Sequence, residues 1–502
     1  MNKRNNPESL VDTALARACQ MVRRAGVNWT RRLRSAAVTG RSSWLQEIES
    51  VEEECVLVRA HLASLTVSLV SEVIIVYALR EFTKIIASYN DHISGALRVR
   101  FLAREINEDV CSNMLKSVLL PCVSKCSISN MQSNFIQTLV IKLLYVIPNI
   151  KALILPSAHP SYLQLLVERI QILTHLQEFR FHIGCTTEIL IELSRFCRHM
   201  KHLSVQESRL VDDYCVEHLL KLTQLCGLNV AATSISNIGY RKLLLCLPEI
   251  ENITWFSPID TVLGNLRVYF PSVMKFVGTV SHASIIFWKC PNIKELELLS
   301  PAQAISDLAG LRNVSSFSLF RCSYTGIALG VVIRCLGQNL TNLKMNEILD
   351  ININDLINYC TVLKELSILY SHMIIRRTFE LISPHFRNLK VIRLRYDWGP
   401  FDFSSILHLY INLNVLHLVG MVEITDTFMK QTVTAGGFRN LTECFIEFCG
   451  DMSMDTAWLL LQNCPNLTTI GNIDSWSRVD EREVAALLTF LRNNNLSLEV
   501  CR

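Results

Sequence analysis

Charge is scarce in this sequence. Only 19% of its 502 residues are Asp, Glu, Lys or Arg, and the balance of +4 is small for such a length. A general nucleic-acid binder would carry a strongly basic domain, so that class is not expected. An apolar leader is also missing: Met1 to Arg41 is polar and Arg-rich, which argues against secretion. The 18 cysteines therefore do not read as the disulfide framework of a small secreted chain. They are scattered through a long one, which fits a reducing compartment, the cytoplasm or the nucleus. Sequons such as Asn339-Leu340-Thr341 and Asn440-Leu441-Thr442 are then by-products of a recurring Asn-Leu pair.

Catalytic signatures are lacking too. There is no phosphate loop, no H-E-x-x-H and no G-x-S-x-G. None of the 13 histidines stands in a recognisable catalytic spacing. Cys122-x-x-x-Cys126 is the nearest spacing to a metal pair, and no second Cys or His pair accompanies it. The expectation is a chain that is not an enzyme, with no cofactor, no metal and no small-molecule substrate.

What the sequence has is apolar residues, half of the total, and they recur with a period. The triplet L-x-x-L-x-L appears as Ile150/Leu153/Leu155, Leu176/Phe179/Phe181 and Met200/Leu203/Val205. It continues to Leu413/Leu416/Leu418 and Leu441/Cys444/Ile446, with a poor copy at Val273/Phe276/Gly278 and a degenerate one at Leu467/Ile470/Asn472. About fourteen copies start roughly 20 to 28 residues apart, the period of leucine-rich repeats. In x-L-x-L the two leucines point the same way from a short strand. The rest of each repeat returns as a helix: Ile424-Thr425-Asp426 and Ser453-Met454-Asp455 read as helix starts. Trp458, Leu461 and Cys464 then fall near one helical face. No repeat buries its own strand and helix, so neighbours must stack. The fold class expected is α/β: a leucine-rich-repeat solenoid, with a curved parallel sheet and outer helices, over residues 128–502. A capping helix is expected at about 479–493.

The period also places the cysteines. Three residues before the triplet stand Cys197, Cys290, Cys360 and Cys464, where other repeats hold Leu247, Phe270 or Phe438. A slot that exchanges Cys for Leu and Phe is a core position.

Residues 1–127 carry no triplets and read as mostly helical. Within them, 17–41 reads as an Arg-rich arm, solvated and partly disordered, that pairs loosely with the acids Glu47 to Glu54. The apolar run His61 to Leu79 reads as a buried helix, because Glu72 at its middle is costly in a membrane. The rival reading is a tether.

Leu413 to Gly471 resembles the cysteine-containing subclass of leucine-rich repeats, L-x-x-L-x-L-x-x-C-x-x-I-T-D followed by a helix and C-x-x-L. Met421 departs from it at the first cysteine. The resemblance covers roughly Ile147 to the C-terminus. It is shared with F-box/leucine-rich-repeat substrate receptors of cullin–RING ubiquitin ligases and with ribonuclease-inhibitor-like horseshoes. An F-box itself is not found. Ser9 to Ala18 is similar to the Elongin-binding BC box of leucine-rich-repeat adaptors of cullin-2 ligases. That resemblance implies a helix-in-groove contact with Leu10 as anchor and Ala18 as trailing contact, while Ala14 stands where the box has Cys. A cullin with Elongin B/C or an F-box-type linker would be the partner. The rival is a scaffold or inhibitor without a ligase link.

A second partner, a protein, is expected on the concave strand face. The residue between the last two triplet leucines points there: Arg180, Glu297, Lys344, Arg393, His417 and Phe445 among others. Arg395, Tyr396 and Trp398 join Arg393 in the patch richest in the Arg and aromatic types of binding hot spots. An acidic peptide is the expected ligand there.

Overall fold

The computed structural model describes residues 10–64, 69–96, 101–128, 133–156, 160–264, 266–374, 388–401, 412–422, 424–448, 451–494, 496 and 498–501. The chain divides into two compact units, 7–250 and 251–502.

The first unit opens with four helices: α1 (Leu10–Thr39), α2 (Arg41–Ser64), α3 (Leu69–Ala96) and α4 (Phe101–Lys116). The expected arm at 17–41 is instead the greater part of α1. Its arginines conceal an apolar row, Val22, Gly26, Trp29 and Leu33, at i, i+4, i+7 and i+11, all buried. Trp29 meets Phe82 of α3 edge to face at 5.7 Å. Gly26 lets the two helices close, since a Cβ there would stand 3.2 Å from Phe82 and Ile85. Arg32 bridges Glu47 and Glu54 of α2, and the Trp29 indole donates to Glu54 at 2.7 Å. Arg59 of α2 donates to the carbonyls of Lys116 and, at 2.6 Å, Leu119, which close the end of α4. Of the run His61 to Leu79, residues 61–64 end α2 and residues 69–79 lie in α3, while 65–68 lie outside the described residues. No helix among the described residues is long and apolar enough to cross a membrane.

Five strands follow in this unit: Lys125–Ser127, Ala152–Leu155, Glu178–Phe181, His202–Ser204 and Gly227–Asn229. Each pairs in parallel with the next. Helices such as Pro160–Ile170 and Thr187–Phe196 return between them.

The second unit holds eleven parallel strands in sequence order, from Asn252–Pro258 to Glu499–Val500. The triplet leucines are its core. Leu343, Met345, Leu366, Ile368, Ile392, Leu394, Leu416 and Leu418 are all buried, and they match in register across four strands. The poor copy is a strand as well, Lys275–Thr279. Gly278 takes a leucine position there because a Cβ would lie 1.9 Å from the Trp255 carbonyl oxygen. Cys290, Cys360 and Cys464 here, and Cys197 in the first unit, are buried, and burial pushes their thiols up to about 12. They are inert apolar side chains at neutral pH. The helix Met454–Asn463 buries Ala457, Leu460 and Leu461, while Trp458 is half-buried against Phe490. The helix Glu481–Asn493 starts on a capping box between Asp480 and Glu483.

Two devices join one repeat to the next. The first is a bend two residues past the last inward strand residue, where φ is positive at Ile183, Glu207, Ala232, Ser300, Arg321, Glu347, Tyr370 and Phe448, and at Gly420. The bend turns backbone N–H groups away from the ladder, and a serine of the following repeat receives them. Ser208 Oγ accepts from Gly184 and Cys185; Ser371 Oγ accepts from Ile348 at 2.9 Å and donates to the Leu369 carbonyl. Ser371 is fully buried. Ser371→Ala leaves the Ile348 N–H without a partner, so a loss of roughly 1–2 kcal/mol in urea unfolding is expected. An unchanged midpoint would mean that water replaces the hydroxyl.

The second device is an aspartate at the start of a helix that caps the next repeat. Asp213 accepts from Ser236 N, Asp260 from Ser281 N and His282 N, and Asp426 from Ser453 N, Ser453 Oγ and Thr456 Oγ1. This is the physical content of Asp in the I-T-D motif.

Candidate protein-binding surface

Strand alternation leaves every second residue off the core, and parallel register stacks those residues into rows. In the second unit one row runs Glu297, Ser318, Lys344, Ser367, Arg393, His417, Phe445, Gly471. Five of the residues expected on the strand face therefore share one line. Arg180 lies in the first unit, exposed and paired with Glu178 at 2.6 Å.

Glu365, from the neighbouring row, organises the middle of the line. Its carboxylate accepts from Arg393 Nη1 at 2.8 Å and from Asn342 Nδ2 at 2.9 Å, with Lys344 Nζ 3.9 Å away. His417 sits beside Arg393, and its ring meets Phe445 edge to face at 4.6 Å. Burial lowers the His417 pKa and the Arg393 charge lowers it further, against the pull of Glu443 at 3.4 Å. Burial and the Arg393 charge together thus disfavour the protonated imidazole. Phe445 lies over Gly471, where a Cβ would stand 1.9 Å from its ring. At the other end of the line burial raises the Glu297 carboxyl, while Lys275 and Lys344 oppose that shift.

A second cluster stands at the carboxyl ends of three successive strands. Arg395 stacks on the Tyr370 ring at 4.5 Å, and its Nε lies 3.3 Å from Asp397. Trp398 is 58% exposed and meets the His372 ring at 5.9 Å. His372 in turn bonds Asp350 at 2.8 Å, and Leu349 is exposed beside them. Tyr396 does not reach this surface: it is 5% exposed, two residues after inward Leu394 and so on the core side of its strand. Tyr370, His372 and Asp350 are the residues that strand alternation does not reveal. They lie at or beyond the bend, where alternation no longer applies. The bend itself, at one fixed place in the repeat, is the signal that would have found Tyr370.

Arg393 and Arg395 are each compensated, by Glu365 and Asp397. Each pair uses one guanidinium nitrogen, so both arginines keep further N–H donors for a ligand carboxylate, which would share the cation with the resident acid. What the surface offers is exposed aromatic area, Tyr370 and Trp398, with Phe445 half-buried further along the line, set among charges already oriented by their own pairs.

Among the described residues no three His, Cys, Asp or Glu side chains converge as a metal site. Cys122 is exposed and Cys126 is buried, with its thiol pushed up to about 12.

Parallel strands in sequence order, each followed by a return segment, make this a leucine-rich-repeat architecture. No protein-family model and no curated relative matches the sequence. Among solved structures the chain is similar to a leucine-rich-repeat protein of Leptospira interrogans. The identity is 15% over 76% of this chain and 96% of that one, with a TM-score of 0.37. It is also similar to the functional domain of InlJ from Listeria monocytogenes, which includes a cysteine ladder. There the identity is 9% over 67% of this chain and 71% of that one, with a TM-score of 0.30.

Proposed function

We propose that the chain is a non-enzymatic scaffold that binds another protein through the strand face and strand ends of residues 297–445. The observation that carries this reading is the exposed aromatic cluster of Tyr370 and Trp398, braced by Arg395 and His372. Large aromatic rings with oriented polar neighbours are the composition of interface hot spots, and solubility alone gives no reason to expose them.

The more concrete reading is a substrate receptor of a cullin–RING ubiquitin ligase, working in the cytoplasm or nucleus. The start of α1 would dock Elongin B/C or an F-box-type linker, and the strand face would hold the target. Ubiquitin transfer would belong to partner enzymes, so no residue here is catalytic. What supports it is the BC-box-like pattern on a helix: the backbone carries Leu10, Ala14 and Ala18 on α1, and their side chains lie outside the described residues. The alanine at 14 and the missing F-box favour the rival, a repeat scaffold or inhibitor with no ligase link.

Affinity purification of the intact chain from cells, with mass spectrometry of the retained proteins, separates the two. The ligase reading expects a cullin with its linker, lost on Leu10→Asp. A stable complex with another protein and no cullin would leave the plain scaffold.

A further inference from the structure

We propose that the chain pairs with a second copy of itself through the outer faces of α1 and α2. The inference concerns the first unit alone and does not rest on the ligase reading.

The arginines of α1 fall into two groups. Those turned toward neighbouring helices are engaged: Arg32 with Glu47 and Glu54, Arg23 with Glu81 at 3.7 Å, and Arg34 with the Ser88 hydroxyl. Arg17, Arg24 and Arg31 are exposed, stand seven residues apart on one face, and have no carboxylate partner among the described residues. The acids of α2 divide likewise. Glu47 and Glu54 serve Arg32, while Glu49 and Glu53, at i and i+4, are exposed and likewise unpaired among the described residues. Two adjacent helices thus carry leftover charge of opposite sign on their outward faces.

Apolar area is exposed on the same two helices. Val27 of α1 is 50% exposed, and Val56 and Leu57 of α2 are 66% and 68% exposed. A partner must bring carboxylates to α1, cations to α2 and apolar side chains to both. A second copy does all three. A twofold axis sets α1 on the partner's α2 and α2 on the partner's α1, so one face answers itself, as an isologous interface requires. A purely acidic partner would satisfy α1 and be repelled by α2.

The test uses the full chain in light scattering after gel filtration, at micromolar concentration. The wild type should show twice the 57.1 kDa of one chain. It should dissociate as salt approaches 1 M, where the Debye length is about 3 Å. Arg24→Glu with Arg31→Glu gives two acidic helices, and Glu49→Arg with Glu53→Arg gives two basic ones. Each double variant alone should be monomeric, with circular dichroism and thermal midpoint unchanged because all four side chains are exposed. Mixed together they should form a one-to-one heterodimer, since every helix then faces its opposite sign. A monomeric wild type, dimers that survive in both variants, or a mixture that stays monomeric would each overturn the proposal.

Discussion

Asp426→Ala is expected to lower stability by about 2–3 kcal/mol, more than the loss of any single surface ion pair. The carboxylate accepts three hydrogen bonds from the next repeat, two of them from Ser453 and one from Thr456 at 2.6 Å. Removal strands the Ser453 N–H at the start of its helix and loosens the step between two repeats. The same group predicts a pH dependence. Burial works to raise its pKa, but the bonds from Thr456 and Ser453 outweigh it and hold the carboxyl below its ordinary value of 3.8. A depressed folded pKa stabilises above the unfolded value and ceases to as pH falls through the folded one. Urea unfolding should therefore show the variant's deficit in full at pH 7, shrinking below about pH 4. A deficit that stayed constant down to pH 2 would mean that the side chain acts through packing and not through its charge.

The repeat was legible because its spacing is enforced by the core. Leu366 and Ile368 could be placed on a strand before any coordinates, since only inward leucines at that interval let neighbours stack. Adjacency followed from the same register: Arg393 beside His417 and His417 beside Phe445 needed nothing but aligned triplets. Three features were illegible, each for a physical reason. Glu365 sits one residue before an inward leucine, and nothing local says that it reaches across to Arg393. Tyr370 lies past the bend, where the chain leaves the two-residue alternation. The stretch 17–41 reads as an arm because arginine dominates its composition. The row Val22, Gly26, Trp29, Leu33 is sparse, and its glycine counts as a core residue only once α3 is known to lie against it.

Tyr370→Gly should move stability and binding in opposite directions. Tyr370 holds a positive φ of 53°, a conformation that costs a side-chain-bearing residue about 1–2 kcal/mol and glycine almost nothing. Its ring is 43% exposed and gives up little core packing when removed. Loss of the contact with the Arg395 guanidinium, worth about 0.5–1 kcal/mol at an exposed site, takes back part of the gain. The net expectation is stability unchanged or higher by up to about 1 kcal/mol. Binding of the partner recovered with the intact chain should weaken about 30-fold or more, the effect of removing an aromatic anchor worth about 2 kcal/mol. Glu207→Gly is the control. It relieves the same bend, φ 61°, in the first unit, and should leave binding unchanged. Titration calorimetry alongside urea unfolding reads both quantities. If Tyr370→Gly binds as tightly as the wild type, the aromatic cluster is not the docking surface. If it is clearly less stable, the ring is held at the bend by packing, and its exposure needs no functional explanation.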